Sequence, residues 1–266
     1  MKTQLRLNST VIHGVGSGPE SGAIDLIYGF LLAEFEQNIY SFISINQIGS
    51  ELEEFVSKED GNKIYVNIRY PVFEDFETKN TNEKNLIRLD VIHTALLRVA
   101  SQFGKLQIHK LEQIKEKIIK NNFRFDFECK IYRYKKNENV IAKIVVCPEL
   151  DRFNYYCVVE DNQKVKCKIK LYSGLTNLFY YSDLFSSVKW KSMDVLAING
   201  KAKEVEINII VSKCEITFTN LTKYTKPPYF EMMRADTSEA DRQKAYQDWL
   251  HSLPLSHSSI ITHEPN

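Results

Sequence analysis

Paired cysteines, a metal or catalytic signature and a surplus of charge are all missing from this chain of 266 residues. Its cysteines, at positions 129, 147, 157, 167 and 214, are odd in number and form no CxxC pair. That excludes the usual zinc and dithiol spacings. Their strand-like surroundings point to buried thiols in a reducing compartment. A formal charge of +1 supplies no overall field for drawing in nucleic acid or an anionic membrane. HExxH, a calcium-loop pattern and a Walker lysine are absent, so no metal and no cofactor is expected. The most apolar run, Ala23 to Phe35, is short and carries Asp25 and Glu34, which rules out a plain membrane-crossing helix. The opening residues Met1 to Arg6 lack the apolar core of a secretion signal, so the cytoplasm is the expected location.

The stretch from Asn85 to Val146 organises what is present. Leu86, Leu89, Ile92, Leu96, Val99 and Phe103 step by three and four, and Gly104 is a fitting helix stop. Ile108, Leu111, Ile114 and Ile118 form the stripe of a second helix. From Phe123 the period changes to two, with Phe125, Phe127, Cys129 and Ile131 alternating with charged residues. A meander follows through Val140–Cys147, Phe153–Val159, Lys164–Leu171, Val188–Ile198, Lys203–Val211 and Cys214–Leu221. Upstream, Gln4 to His13 and Lys63 to Val72 read as strands, Ala23 to Asn38 as a helix and Ser50 to Val56 as a helical turn.

The pattern predicts an α+β fold, a curved antiparallel multi-stranded sheet with helices packed on one face. One domain is expected over residues 1–253, helix-rich to about 122, with antiparallel strands over 123–221 and a C-terminal helix over 237–251. Residues 254–266 are expected to form a disordered tail.

Several groups of residues are candidate sites. The glycine loop Gly14 to Gly18 follows a strand, but Pro19 occupies the place of the third glycine of a dinucleotide fingerprint, and a flexible turn is the favoured reading. Asp90 and His93 fall one helical turn apart, with His109 near the start of the next helix, and would supply polar groups to a helix–sheet pocket. Sequence places no nucleophile beside them, so an enzyme is the less favoured reading. Lys164, Lys166, Lys168 and Lys170 occupy one face of one strand, suited to an acidic partner, to a phosphate backbone, or simply to solvent. Phe179, Tyr180, Tyr181, Asp183, Phe185 and Trp190 make an aromatic-rich irregular segment of the composition found at protein interfaces.

Leu89 to Ala100 (LDVIHTALLRVA), Ser182 to Trp190 (SDLFSSVKW) and Gly200 to Val205 (GKAKEV) resemble pieces of small bacterial proteins, some of which are immunity proteins for polymorphic toxins. The resemblance covers about a quarter of the chain and implies a protein that binds and blocks a toxin without cofactor or chemistry. Combined with the missing motifs, it makes a non-catalytic, toxin-binding inhibitor the leading expectation. The aromatic segment with Lys166 and Lys168 is its expected surface. A small-ligand binder or enzyme using Asp90, His93 and His109 is the alternative.

Overall fold

The computed structural model describes residues 3–10, 15, 22–59, 62–71, 75–149, 152–174, 187–199, 205–220 and 234–252. Within these, four helices accompany three four-stranded sheets. The chain gathers into two compact units. The first is Met1–Phe127 with Cys147–Arg152, and the second is Glu128–Val146 with Phe153–Asn266.

The first unit is built on β1 (Gln4–Ser9), β2 (Phe42–Ile48), β3 (Phe55–Glu59) and β4 (Lys63–Arg69), in the order β1-β2-β4-β3. Strands β1, β2 and β4 run parallel and only β3 is antiparallel, which corrects the expectation of a purely antiparallel sheet. The reason is the connection: α1 (Gly22–Glu34) carries the chain back between β1 and β2, and a parallel pair requires such a crossover. The register aligns Leu5, Ile43 and Ile64, then Leu7, Ile45 and Val66, into one buried face. On the opposite face the same register aligns Asn8, Asn46 and Asn67. Asn8 Nδ2 donates to Asn46 Oδ1 at 3.2 Å, and Asn46 Nδ2 donates to Asn67 Oδ1 at 3.0 Å. This amide ladder pairs side-chain amides across three strands.

Helix α1 lies so close to β1 that an added Cβ at Gly29 would stand 2.7 Å from the Thr3 carbonyl oxygen. In a free helix, alanine is favoured over glycine by roughly 0.5–1 kcal/mol. Here the clash, worth about 1–3 kcal/mol for an overpacked site, outweighs that preference. Gly29→Ala is therefore expected to lower the denaturation midpoint, and an unchanged or raised midpoint would show that the α1–β1 approach is looser.

Helix α2 (Thr81–Phe103) begins with a capping box, Asn80 Oδ1 accepting from Glu83 N and Glu83 reaching back to Asn80 N, and ends at Gly104 with φ 64°. Its buried stripe is Leu89, Ile92, Leu96 and Val99, whereas Leu86 is largely exposed. Helix α3 (Ile108–Lys120) buries Leu111, Ile114 and Ile118 and leaves Ile108 in solvent.

The second unit holds the other two sheets. Strands β5 (Phe127–Tyr134), β6 (Asn137–Pro148), β7 (Phe153–Asp161) and β8 (Lys164–Gly174) follow sequence order. Strands β9 (Ser187–Trp190), β10 (Val195–Asn199), β11 (Val205–Ile210) and β12 (Glu215–Asn220) stand in the order β12-β11-β10-β9, with every neighbouring pair antiparallel. Phe123 lies in a turn rather than at the start of the meander, with φ 59°. Cys167 of β8 and Cys214, in the turn before β12, are joined in a disulfide that ties the two sheets. This corrects the thiol reading for those two residues, which 47 positions of chain separate. Cys129, Cys147 and Cys157 carry thiols outside this bond.

Helix α4 (Glu239–Ser252) starts at Ser238, whose Oγ accepts from Asp241 N at 3.1 Å. Residues 254–266 lie outside the described residues. No helix among the described residues is long and apolar enough to cross a membrane.

Candidate functional site

The edges of the two sheets in the second unit converge at a cleft of about 680 Å³, lined by residues 131–136 and 188–191. Strand β5 brings Tyr132, Arg133 and Tyr134 to it, and the two-residue turn into β6 adds Lys135 and Lys136. The opposing edge strand β9 brings Lys189, Trp190 and Lys191. Alternation along an edge strand explains the mixture. Tyr132 and Tyr134 share one face of β5 and are half-buried, while Arg133, which also lines the cleft, is exposed. The Trp190 ring sits 5.6 Å from that of Tyr134, tilted by 55°, and Trp190 Nε1 donates to the Tyr132 carbonyl at 3.5 Å.

Of the five cations around this cleft, Lys191 is already matched, its Nζ lying 2.9 Å from Glu206 Oε1 and 3.0 Å from Asn208 Oδ1. Among the described residues no carboxylate pairs with Arg133, Lys135, Lys136 or Lys189. The cleft is therefore a basic, aromatic-floored surface. Such a surface suits an anionic chain whose apolar side chains can rest on the rings.

Trp190 thus stands at the cleft as one of the aromatics expected to contact a partner. Phe179, Tyr180, Tyr181, Asp183 and Phe185 lie outside the described residues. Lys166 and Lys168 are exposed on β8, the opposite edge of the sheet from β5, and so do not join Trp190. Lys168 Nζ lies 5.3 Å from the Tyr156 ring centroid and Lys166 Nζ 3.9 Å from Asp161 Oδ2. Glu206 neutralises Lys191.

Asp90 and His93 occupy the helix layer of the first unit, but each makes its hydrogen bonds to other residues. Asp90 accepts from Tyr70 Oη at 2.6 Å and from Lys115 Nζ at 2.5 Å. Burial raises its pKa, yet that ammonium and hydroxyl prevail and hold the carboxyl below its usual range. His93 is buried, with Nδ1 2.9 Å from Tyr28 Oη and Nε2 3.1 Å from Glu112 Oε1. Burial holds its pKa below the ordinary value despite the pull of Glu112. A neutral ring donating through Nε2 to Glu112 and accepting at Nδ1 from Tyr28 fits these contacts. Both ring nitrogens are engaged in joining α1, α2 and α3. His109 is exposed on the first turn of α3. None of the three lines the cleft, and Asp90 and His93 bond to different partners.

The residues that sequence reading overlooked are Tyr132, Arg133, Tyr134, Lys135 and Lys136. Their signal is the run IYRYKK from Ile131 to Lys136, where aromatic and basic side chains alternate at the strand period. In the glycine loop only Val15 is described. It is buried, donates its N–H to Gln47 Oε1 at 2.9 Å and receives Arg88 Nε on its carbonyl at 3.1 Å.

No protein-family model, curated protein or solved structure matches the chain.

Proposed function

We propose that this is a non-catalytic binding protein that holds an acidic protein segment in the β5–β9 cleft, as an immunity or inhibitor protein holds a toxin domain. A cytoplasmic site of action belongs to the same reading. The observation that carries it is the pairing of Trp190 and Tyr134 among four cations that have no acidic neighbour among the described residues. The rim supports a protein occupant over a nucleic acid. Ile131, 51% exposed, offers an aliphatic contact that side chains use and phosphates do not. Single-stranded nucleic acid needs open ring faces for successive bases, and here the two closest rings already lean on each other.

Fluorescence titration tests this with two probes, a poly-glutamate peptide carrying interspersed tyrosines and a deoxythymidine 20-mer. The acidic peptide is expected to bind, to weaken with added salt, and to lose at least tenfold in affinity on Trp190→Ala or on the double change Arg133→Glu with Lys189→Glu. Equal or tighter binding of the oligonucleotide would assign the cleft to nucleic acid. Peptide affinity unchanged in both variants would remove the cleft from the function altogether.

A further inference from the structure

We infer that the first unit holds a second, independent site, a cavity built for a nucleoside monophosphate. The cavity has a volume of about 630 Å³, within the range of roughly 300–1,000 Å³ found for small-molecule sites. Its position follows from the topology. Helix α1 follows β1 and α2 follows β4, so in a parallel sheet both helices begin on the side of the strands' carboxyl ends, where open α/β sheets bind ligands. The first turns of both helices line this cavity.

Three features define the ligand. The first is a place for an anion. At the start of α2 the capping box takes the Glu83 N–H and leaves the backbone N–H groups of Thr81 and Asn82 without intrahelical acceptors. Both residues line the cavity, as does the exposed residue Arg124. The second is Asn85, which lines the cavity at 6% exposure with its Oδ1 lacking a hydrogen-bond partner among the described residues. An acceptor this buried is expensive to leave unmatched, and a ligand amino or hydroxyl group would satisfy it. The carboxylate of Glu149 in the same lining accepts from hydroxyls as well. The third is an apolar wall of Ile24, Ile27, Phe123 and Pro148, against which a flat ring can rest.

An anion alone leaves that wall and most of the volume unused, and an uncharged sugar leaves the helix terminus unused. A phosphate joined through a hydroxyl-bearing ribose to a base uses all three features.

Calorimetric titration of the full chain with AMP, GMP, CMP and UMP, and with the matching nucleosides and inorganic phosphate, decides the matter. At least one monophosphate is expected to bind one-to-one below about 100 µM, with its nucleoside and inorganic phosphate each at least tenfold weaker. Asn85→Leu and Arg124→Glu should each weaken that nucleotide at least tenfold, and Trp190→Ala should leave it unchanged. Arg124 is on the surface, so its variant decides the point if the Asn85 variant fails to fold. The inference falls if no monophosphate binds below about 1 mM, if inorganic phosphate binds as tightly as the nucleotide, or if Arg124→Glu binds like the parent. None of these results touches the β5–β9 cleft.

Discussion

Replacing Cys167 and Cys214 together by alanine is expected to lower the unfolding free energy of the second unit by about 4 kcal/mol, the chain-entropy value for a loop of this length. The bond closes 47 positions of chain, so most of its effect lies in the unfolded state, which loses the freedom of a long loop. Native contacts add to this, because Cys167 is 2% exposed and its truncation leaves a void. Denaturant unfolding with and without reductant measures the effect. The oxidised parent should unfold at a clearly higher midpoint than either the reduced parent or the double variant, and those two should lie close together. Coincident midpoints for all three would show that the bond is not formed. Alkylation of the native protein supplies a second readout. Cys129 and Cys147 are half-buried and should react first. The thiol of Cys157 is buried and pushed up to about 12, so it should stay unlabelled until the chain unfolds. An inhibitor working in a reducing cytoplasm would operate with the Cys167–Cys214 bond open and therefore with a looser tie between its two sheets.

That disulfide marks the limit of what periodicity reveals. Local pattern located α2, α3 and most of the meander, because the stripe Leu89–Ile92–Leu96–Val99 and the alternation after Phe127 are each set by neighbours in sequence. Gly104 as a stop and the switch from helix to strand period were legible for the same reason. Pairing between distant segments was not. Strand β2 is short and almost wholly buried, with only Phe42 and Asn46 half-exposed, and such runs do not distinguish a strand from a buried helix. The helical turn read over Ser50 to Val56 runs into β3 at Phe55 and Val56, and Phe55 to Glu59 shows little burial on either face, as befits an edge. With β2 and β3 unplaced, nothing in the sequence announced a parallel sheet.

The candidate sites divide along the same line. Trp190 was legible as an interface aromatic from its residue type. The basic partners across the cleft were not, because they lie 54 or more positions earlier, on the edge of a different sheet. The spacing of Asp90 and His93 suggested a pair. Each instead turns to another helix, since α3 presents Lys115 to one and Glu112 to the other.

Asp25→Asn is expected to stabilise the protein at pH 8, by up to about 4 kcal/mol for a shift of three pK units, while leaving it unchanged near pH 4. Asp25 sits in the first turn of α1, buried, with Oδ2 accepting from Leu7 N at 3.0 Å and Oδ1 without a partner among the described residues. Burial pushes its carboxyl up from 3.8 to about 7, against the downward pull of the Leu7 hydrogen bond and of the nearby charges of Arg88 and Arg6. The folded pKa therefore exceeds the unfolded one. The folded chain binds the extra proton, and its contribution to stability is fully present below about pH 4 and disappears as the pH rises through 7. Asparagine keeps an oxygen for Leu7 N–H and never ionises, so the variant does not follow that decline. His93 works in the opposite direction. Its lowered folded pKa costs stability as the pH falls below 6.5, so the parent's own pH profile mixes the two residues. The difference between parent and variant cancels His93 and isolates Asp25. Chemical denaturation of both proteins across pH 4 to 8 measures it. A gap that opens between pH 5 and 8 identifies Asp25 as a carboxylate buried at a cost, facing Arg88 at the carboxyl end of the parallel strands. A constant gap would mean that Asp25 keeps its charge throughout, with the Arg88 guanidinium close enough to offset its burial.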